Sequence, residues 1–354
     1  MKATVSPVCH LQEVDLNDLT DKDFRRFPAA DGIRGLAVLI VLIVHSMVMF
    51  FPNTYDGLAG SGKIGVWLFF VLSAFLLTNN FIQNGFGSKN IFSYAIGRII
   101  RIIPLYIITL IVYCEFGYFP PQIAYEIFKL NSPWGHLWTI AVEFKFYFLL
   151  PLIAYVLIKL SEKFGLFISL LSAIAIIALQ QWYYPYFEVK PSSTDMVGYI
   201  SAFIPGMCCA VILSVSNFRN NTASDMACLL VLVGIMLSIP QIRSIFFGIP
   251  NDGYLLNKHV HFSFAWAVLV YFALSSSGKI NTIFSSDVLR KLGKWSFSIY
   301  LFHWLIYTQL TKHFIGSYFW ATLALFIAVL TGGAVYFLIE KPIERFRHII
   351  MRLV

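Results

Sequence analysis

The stretch that decides the fold is DGIRGLAVLIVLIVHS, residues 31–46. Between Arg34 and His45 there is no polar side chain. Read as a helix, their separation is three turns plus about 20°, so both side chains share one stripe. At ~1.5 Å of rise per residue the imidazole lies roughly 16 Å beyond the guanidinium. In a bilayer with a ~30 Å core, that puts Arg34 near one face and His45 near the middle. A charge at the membrane edge, aligned with a titratable group inside it, is costly and rarely accidental.

Composition agrees with a membrane setting. Of the 354 residues 58% are hydrophobic and only 12% charged, about half the charge of a soluble domain. With a mean hydropathy of +0.73, the expected fold is an all-α, polytopic transmembrane helical bundle. The five cysteines (Cys9, Cys114, Cys208, Cys209, Cys228) lack metal-ligand spacing and mostly fall in apolar runs. They read as packing residues, with no disulfide framework. The polar start, LQEVDLNDLTDKDFRRFPA, has no apolar core of its own, so no cleaved signal peptide is expected.

About ten spans are expected, near 32–51, 64–83, 102–119, 137–158, 164–183, 196–215, 226–240, 259–275, 295–312 and 317–339. The span at 226–240 is short, and the chain from there to residue 258 is a candidate re-entrant segment. With both termini cytoplasmic, 18 basic residues fall in inside segments and 6 in outside loops, among them Lys63, Lys129 and Lys190. This bias also accounts for the net charge of +8, so a nucleic-acid partner is not implied; anionic lipid is. The expected organisation is a cytoplasmic polar segment 1–30, a transmembrane unit 31–340 and a basic cytoplasmic tail 341–354.

Several polar groups sit in apolar surroundings. Arg34 reads either as a snorkelling side chain paired with Asp31 or as part of a site. His45 reads as a packing residue or a functional base. Arg98 and Arg101, one turn apart before Pro104, are either a positive-inside flank or, with Arg34, a guanidinium cluster suited to polyphosphate. In WGHLWTIAVEFKFYFLLPLI, Glu143 is expected near the depth of His45, either in a structural pair with Lys or His or working with His45 in a polar cavity. Lys145 points to another face. Trp134, Trp138 and Tyr147 form an aromatic belt or a platform for a sugar ring. Trp138, His136 and His303 are the candidates for the acceptor-binding side. Ser296 and Ser298 read as packing serines, and Glu340 as a structural partner of basic residues such as Lys341. His10 and His348 lie in polar tails. Without H-x-x-H or C-x-x-C spacing, no metal site is expected. Ser73 lacks the context of a nucleophile elbow.

Four blocks together resemble the integral-membrane acyltransferase family 3: DGIRGLAVLIVLIVH, FFVLSAFLLT (69–78), GRIIRIIPLY (97–106) and HLWTIAVEFKFYFLLPL (136–152). LGKWSFSIYLFHW (292–304) and the terminal EKP (340–342) fit as well. The Arg-x10-His element falls on Arg34 and His45, and Arg-x2-Arg on Arg98 and Arg101. Where the family commonly has paired acidic residues followed by Gln, this chain reads Glu143-Phe144-Lys145, and Ala74 stands where a glycine often follows the serine. The resemblance implies a cytoplasmic acyl-CoA donor, usually acetyl-CoA, and a hydroxyl acceptor, often a surface glycan or lipid-linked glycan. It implies that His45 is the essential catalytic residue and that Arg34, Arg98 and Arg101 bind the donor.

The resulting expectation is transmembrane O-acyl transfer without a metal. The arginines hold the donor's phosphates and the pantetheine arm reaches His45. His45 acts as general base or acyl carrier, and Glu143 orients or polarises it or positions the acceptor. The rivals are a polytopic transporter or flippase for a polar lipid and an acyltransferase for a small amphipathic acceptor such as a macrolide.

Overall fold

The computed structural model describes residues 27–216 and 218–353. Residues 1–26, with Cys9, His10 and most of the polar N-terminal segment, and the side chain of His348 lie outside the described residues. The described chain is helical and contains no β-strand.

Ten helices carry the architecture: α1 (Pro28–Phe50), α2 (Ser61–Asn84), α3 (Ser88–Glu115), α4 (Trp138–Phe164), α5 (Leu166–Tyr183), α6 (Ile200–Val215), α7 (Asn221–Leu237), α8 (His259–Ser275), α9 (Asp287–Phe314) and α10 (Tyr318–Val335). Each stretch expected to span coincides with one of them. By length and apolarity, seven of the described helical stretches are fit to cross a membrane: α1 to α5, Val197–Val215, and Tyr318–Arg347. An eighth is reached if α7 and the short helix Pro240–Phe247 count together, although they meet at a bend of 86°. That bend falls where a re-entrant segment was expected. α8, with 17 residues, is apolar but short, and the first half of α9 is basic.

The centre of the bundle is built by α1, α2 and α9. α1 packs most extensively on α9, because glycines let the two backbones meet. A Cβ added to Gly35 would fall 2.3 Å from the Leu289 carbonyl oxygen, and one on Gly293 would fall 1.8 Å from that of Asp31. Small residues at such crossings are the usual basis of tight packing in membranes. The close fit places the face of α1 that bears Arg34 and His45 against the face of α9 that bears Tyr300 and His303. α5 lies at the periphery and turns Phe167 and Trp182 outward, as expected of a helix facing lipid.

Two polar residues hold the frame. Lys145 donates to the carbonyl oxygens of Leu130 (2.8 Å) and Thr194 (3.0 Å), tying together the connections on either side of α4 and α5. Glu340, in a π-helical turn after α10, accepts a 2.5 Å hydrogen bond from Ser298 of α9. The 341–354 segment is helical over Lys341–Leu353 (α11) and packs on α3.

Candidate active site

The polar residues form two groups at different depths. At the end of the bundle where α1 begins, Arg34, Arg98, Arg101 and Arg347 border a cavity of about 320 Å³. Its other wall is the amide-rich end of α2, with Asn79, Asn80, Gln83 and Asn84. Arg34 lies 3.8 Å from Asp31, the pairing expected one turn away. Arg98 stacks over the Tyr147 ring at 5.8 Å, and its Nε is buried without a hydrogen-bond partner. Arg347, on α11, was read from sequence as part of a tail; burial at 7% exposure inside this cluster marks it as a fourth cation. A smaller chamber of about 70 Å³ continues inward from the arginines. There the Glu143 carboxylate accepts hydrogen bonds from Ser73 (2.7 Å) and from the Tyr147 hydroxyl.

His45 belongs to a second, larger cavity of about 510 Å³, toward the other end of α1. Its ring lies edge to edge with that of His303, with 6° between the planes. Carbonyl oxygens cannot donate, so the 2.7 Å contact between His303 Nδ1 and the Tyr300 carbonyl requires a proton on Nδ1. In the neutral ring, His303 Nε2 is then an acceptor, and it receives the Nδ1–H of His45 at 2.9 Å. This chain of bonds assigns the tautomer of His45 and leaves Nε2 with its lone pair. Nε2 faces Gly62 of α2, where an added Cβ would come within 3.2 Å of it. His136 and Trp304 complete the ring cluster, with centroids 4.9 Å from His303 and 5.4 Å from His45 respectively. His136 Nε2–H donates to the Leu301 carbonyl at 3.2 Å, and its Nδ1 is a buried acceptor without a partner.

The structure thus brings together His45, His303, His136 and Trp138 around one cavity, except that His303 sits behind His45 and is completely buried. It gathers Arg34, Arg98, Arg101 and Glu143 around the other. Glu143 is not brought to His45: His136 joins the His45–His303 cluster, and Glu143, further along α4 toward the arginines, has Ser73 and Tyr147 as partners. Tyr300 and Val66 line both the inner chamber and the His45 cavity, so they stand between the two. Tyr300 is fixed there by donating to the His136 carbonyl at 2.7 Å and accepting from Thr139 at 2.9 Å. The sequence offers no signal for Tyr300 or Gly62, and it presents Lys63 only as a loop charge, because none of the three breaks an apolar pattern as His45 does. Among the described residues no group of His, Cys, Asp and Glu is arranged to hold a metal ion.

The site is thus a guanidinium cluster at one end of an apolar helical bundle, with an imidazole further along the helix that bears Arg34. The sequence model of an acyltransferase domain matches residues 27–339, and the chain belongs to that family. Among curated proteins it resembles the O-acetyltransferase OatA of Staphylococcus aureus, with 23% identity over 369 aligned residues covering 92% of this chain. A shorter match, 28% over 145 residues and 33% of this chain, is to the peptidoglycan O-acetyltransferase OatA of Listeria monocytogenes, 22% of which it covers. This chain spans 60% of the length of the Staphylococcus relative. No solved structure matches it.

Proposed function

We propose that this protein is a membrane O-acyltransferase that moves an acetyl group from cytoplasmic acetyl-CoA to a hydroxyl of a cell-surface polysaccharide or its lipid-linked precursor, in a bacterial inner membrane. All ten long helices cross the bilayer in this reading, with both termini cytoplasmic and the arginine cavity facing the cytosol. The single observation that carries it is the bare Nε2 of His45, held toward a cavity large enough for a sugar. The names of the relatives support the acetyl group and the glycan acceptor.

Arg34, Arg98 and Arg101 hold the donor's phosphates; the partnerless Nε of Arg98 suits that task. When bound, the donor supplies the acyl group as an activated thioester. His45 Nε2 takes the hydroxyl proton as the acceptor oxygen bonds to the acyl carbon, and returns it to the departing sulfur. His303 stabilises the imidazolium by accepting the Nδ1–H bond, and does so without reorganisation. Base catalysis of this kind contributes roughly 10²–10⁴-fold. His136 Nδ1 accepts a second hydroxyl of the acceptor and Trp138 lies under its ring. Glu143 acts on the donor side, where it anchors Tyr147 beneath Arg98.

The test is thiol release from acetyl-CoA in the presence of acceptor, using purified protein whose folding has been checked. His45→Ala should lower turnover by about 10²-fold or more, and undiminished turnover would remove this mechanism. Arg98→Ala and Arg101→Ala should weaken acetyl-CoA binding about tenfold each; unchanged affinity would return both arginines to a purely topological role.

A further inference from the structure

The cavity that holds His45 also holds a cation the transfer does not use. Lys63 lies in the first turn of α2, next in sequence to Gly62, which His45 Nε2 faces. Its ammonium donates to the Leu256 carbonyl at 3.2 Å and sits 5.4 Å from the centroid of the Trp138 ring. No carboxylate pairs with it among the described residues, and no Asp or Glu lines the cavity. A half-buried ammonium satisfied by one carbonyl and one ring face lacks the compensation such a charge ordinarily finds. The surrounding backbone adds to the imbalance. Gly60, Gly62 and Lys63 belong to the N-terminal end of a 24-residue helix, which carries partial positive charge. Lysine and helix end therefore favour an anion at the same place, beside the base and over an indole.

We propose that Lys63 selects an acidic acceptor: a glycan whose reacting hydroxyl lies on, or next to, a sugar bearing a carboxylate or a phosphate. This rests on the acyl-transfer reading above and narrows its acceptor. The acidic group pairs with Lys63 while the ring covers Trp138, and that pairing delivers the neighbouring hydroxyl to His45 Nε2. A neutral glycan would leave the ammonium without a counter-charge and so bind less well.

The experiment uses the full chain in lipid nanodiscs and fluorescence anisotropy of three labelled probes. They are an oligogalacturonate, its carboxyl-reduced neutral counterpart, and a phosphorylated malto-oligosaccharide. The wild-type protein should bind at least one charged probe about tenfold more tightly than the neutral one, and the stronger charged probe identifies carboxylate or phosphate as the recognised group. Lys63→Gln should bring the charged-to-neutral ratio close to one, whereas Lys63→Arg should keep most of it. Equal binding of charged and neutral probes by the wild type, absence of binding included, overturns the proposal. So does a ratio that survives Lys63→Gln. The assay needs no donor, so the two readings fail separately. Charge preference without acetyl transfer would sink the transferase reading alone, and transfer to glycan without charge preference would sink only the acidic acceptor.

Discussion

At the scale of single residues, the arrangement depends on which nitrogen of His45 carries the proton. The sequence marks His45 as an imidazole in an apolar helix, but the partner that fixes its tautomer is 258 residues away. Nothing local to LIVLIVHS points to it. Glu143, the partner that spacing suggested, lies nearer the arginines than His45 does and lines the other chamber. Rise along one helix is legible because it is constant; the relative height and facing of two helices are not, because they depend on how the helices slide and rotate against one another. If His303 positions His45, a side chain able to accept the Nδ1–H should rescue the variant. His303→Leu is expected to lower the rate of transfer by about 10²-fold, and His303→Gln to recover part of it through its amide oxygen, with little change in the KM for acetyl-CoA. Equal loss in both variants, or a matching loss of donor affinity, would make His303 a packing residue.

At the scale of elements, ten helices could be placed from apolar runs alone, since a bilayer demands such runs wherever the chain crosses it. Their ends and interruptions were harder to read. Lys63 falls inside the first turn of α2 rather than in a loop, and α11 continues past the last apolar run to place Arg347 among the arginines. That basic segment has no long apolar stretch to announce it. The crossing of α1 and α9 is the joint on which both groups of residues depend. Gly293→Ala would drive a methyl into the Asp31 backbone, and the gain in helix propensity, about 1 kcal/mol, would not offset overpacking of about 1–3 kcal/mol. The expected result is a lower melting temperature in detergent, with activity falling as His45 and His303 move apart. A variant as stable as the parent would show that the crossing is slack.

At the scale of the whole molecule, the sequence anticipated one polar shaft from arginine to imidazole. The structure has instead two chambers with Tyr300 and Val66 between them. Composition cannot reveal such a partition, because both residues look like ordinary apolar or interfacial side chains in their helices. In the proposed mechanism, transfer from one chamber to the other requires Tyr300 to yield. Shortening it should loosen the coupling between donor and acceptor. Tyr300→Ala is expected to raise thiol release in the absence of acceptor severalfold, read as acetyl-CoA hydrolysis. A hydrolysis rate no higher than that of the parent would mean that the partition does not govern access to the donor.

If the protein is the transmembrane acyltransferase proposed above, the same partition bears on the cell that houses it. A continuous water column lined by four guanidinium groups would conduct small anions, and an imidazole in its path would pass protons. Either leak would run down the gradients on which the membrane depends. With one phenol and one aliphatic side chain as a bulkhead, the proposed acyl chemistry could be carried out across an energised bilayer while the electrical seal holds.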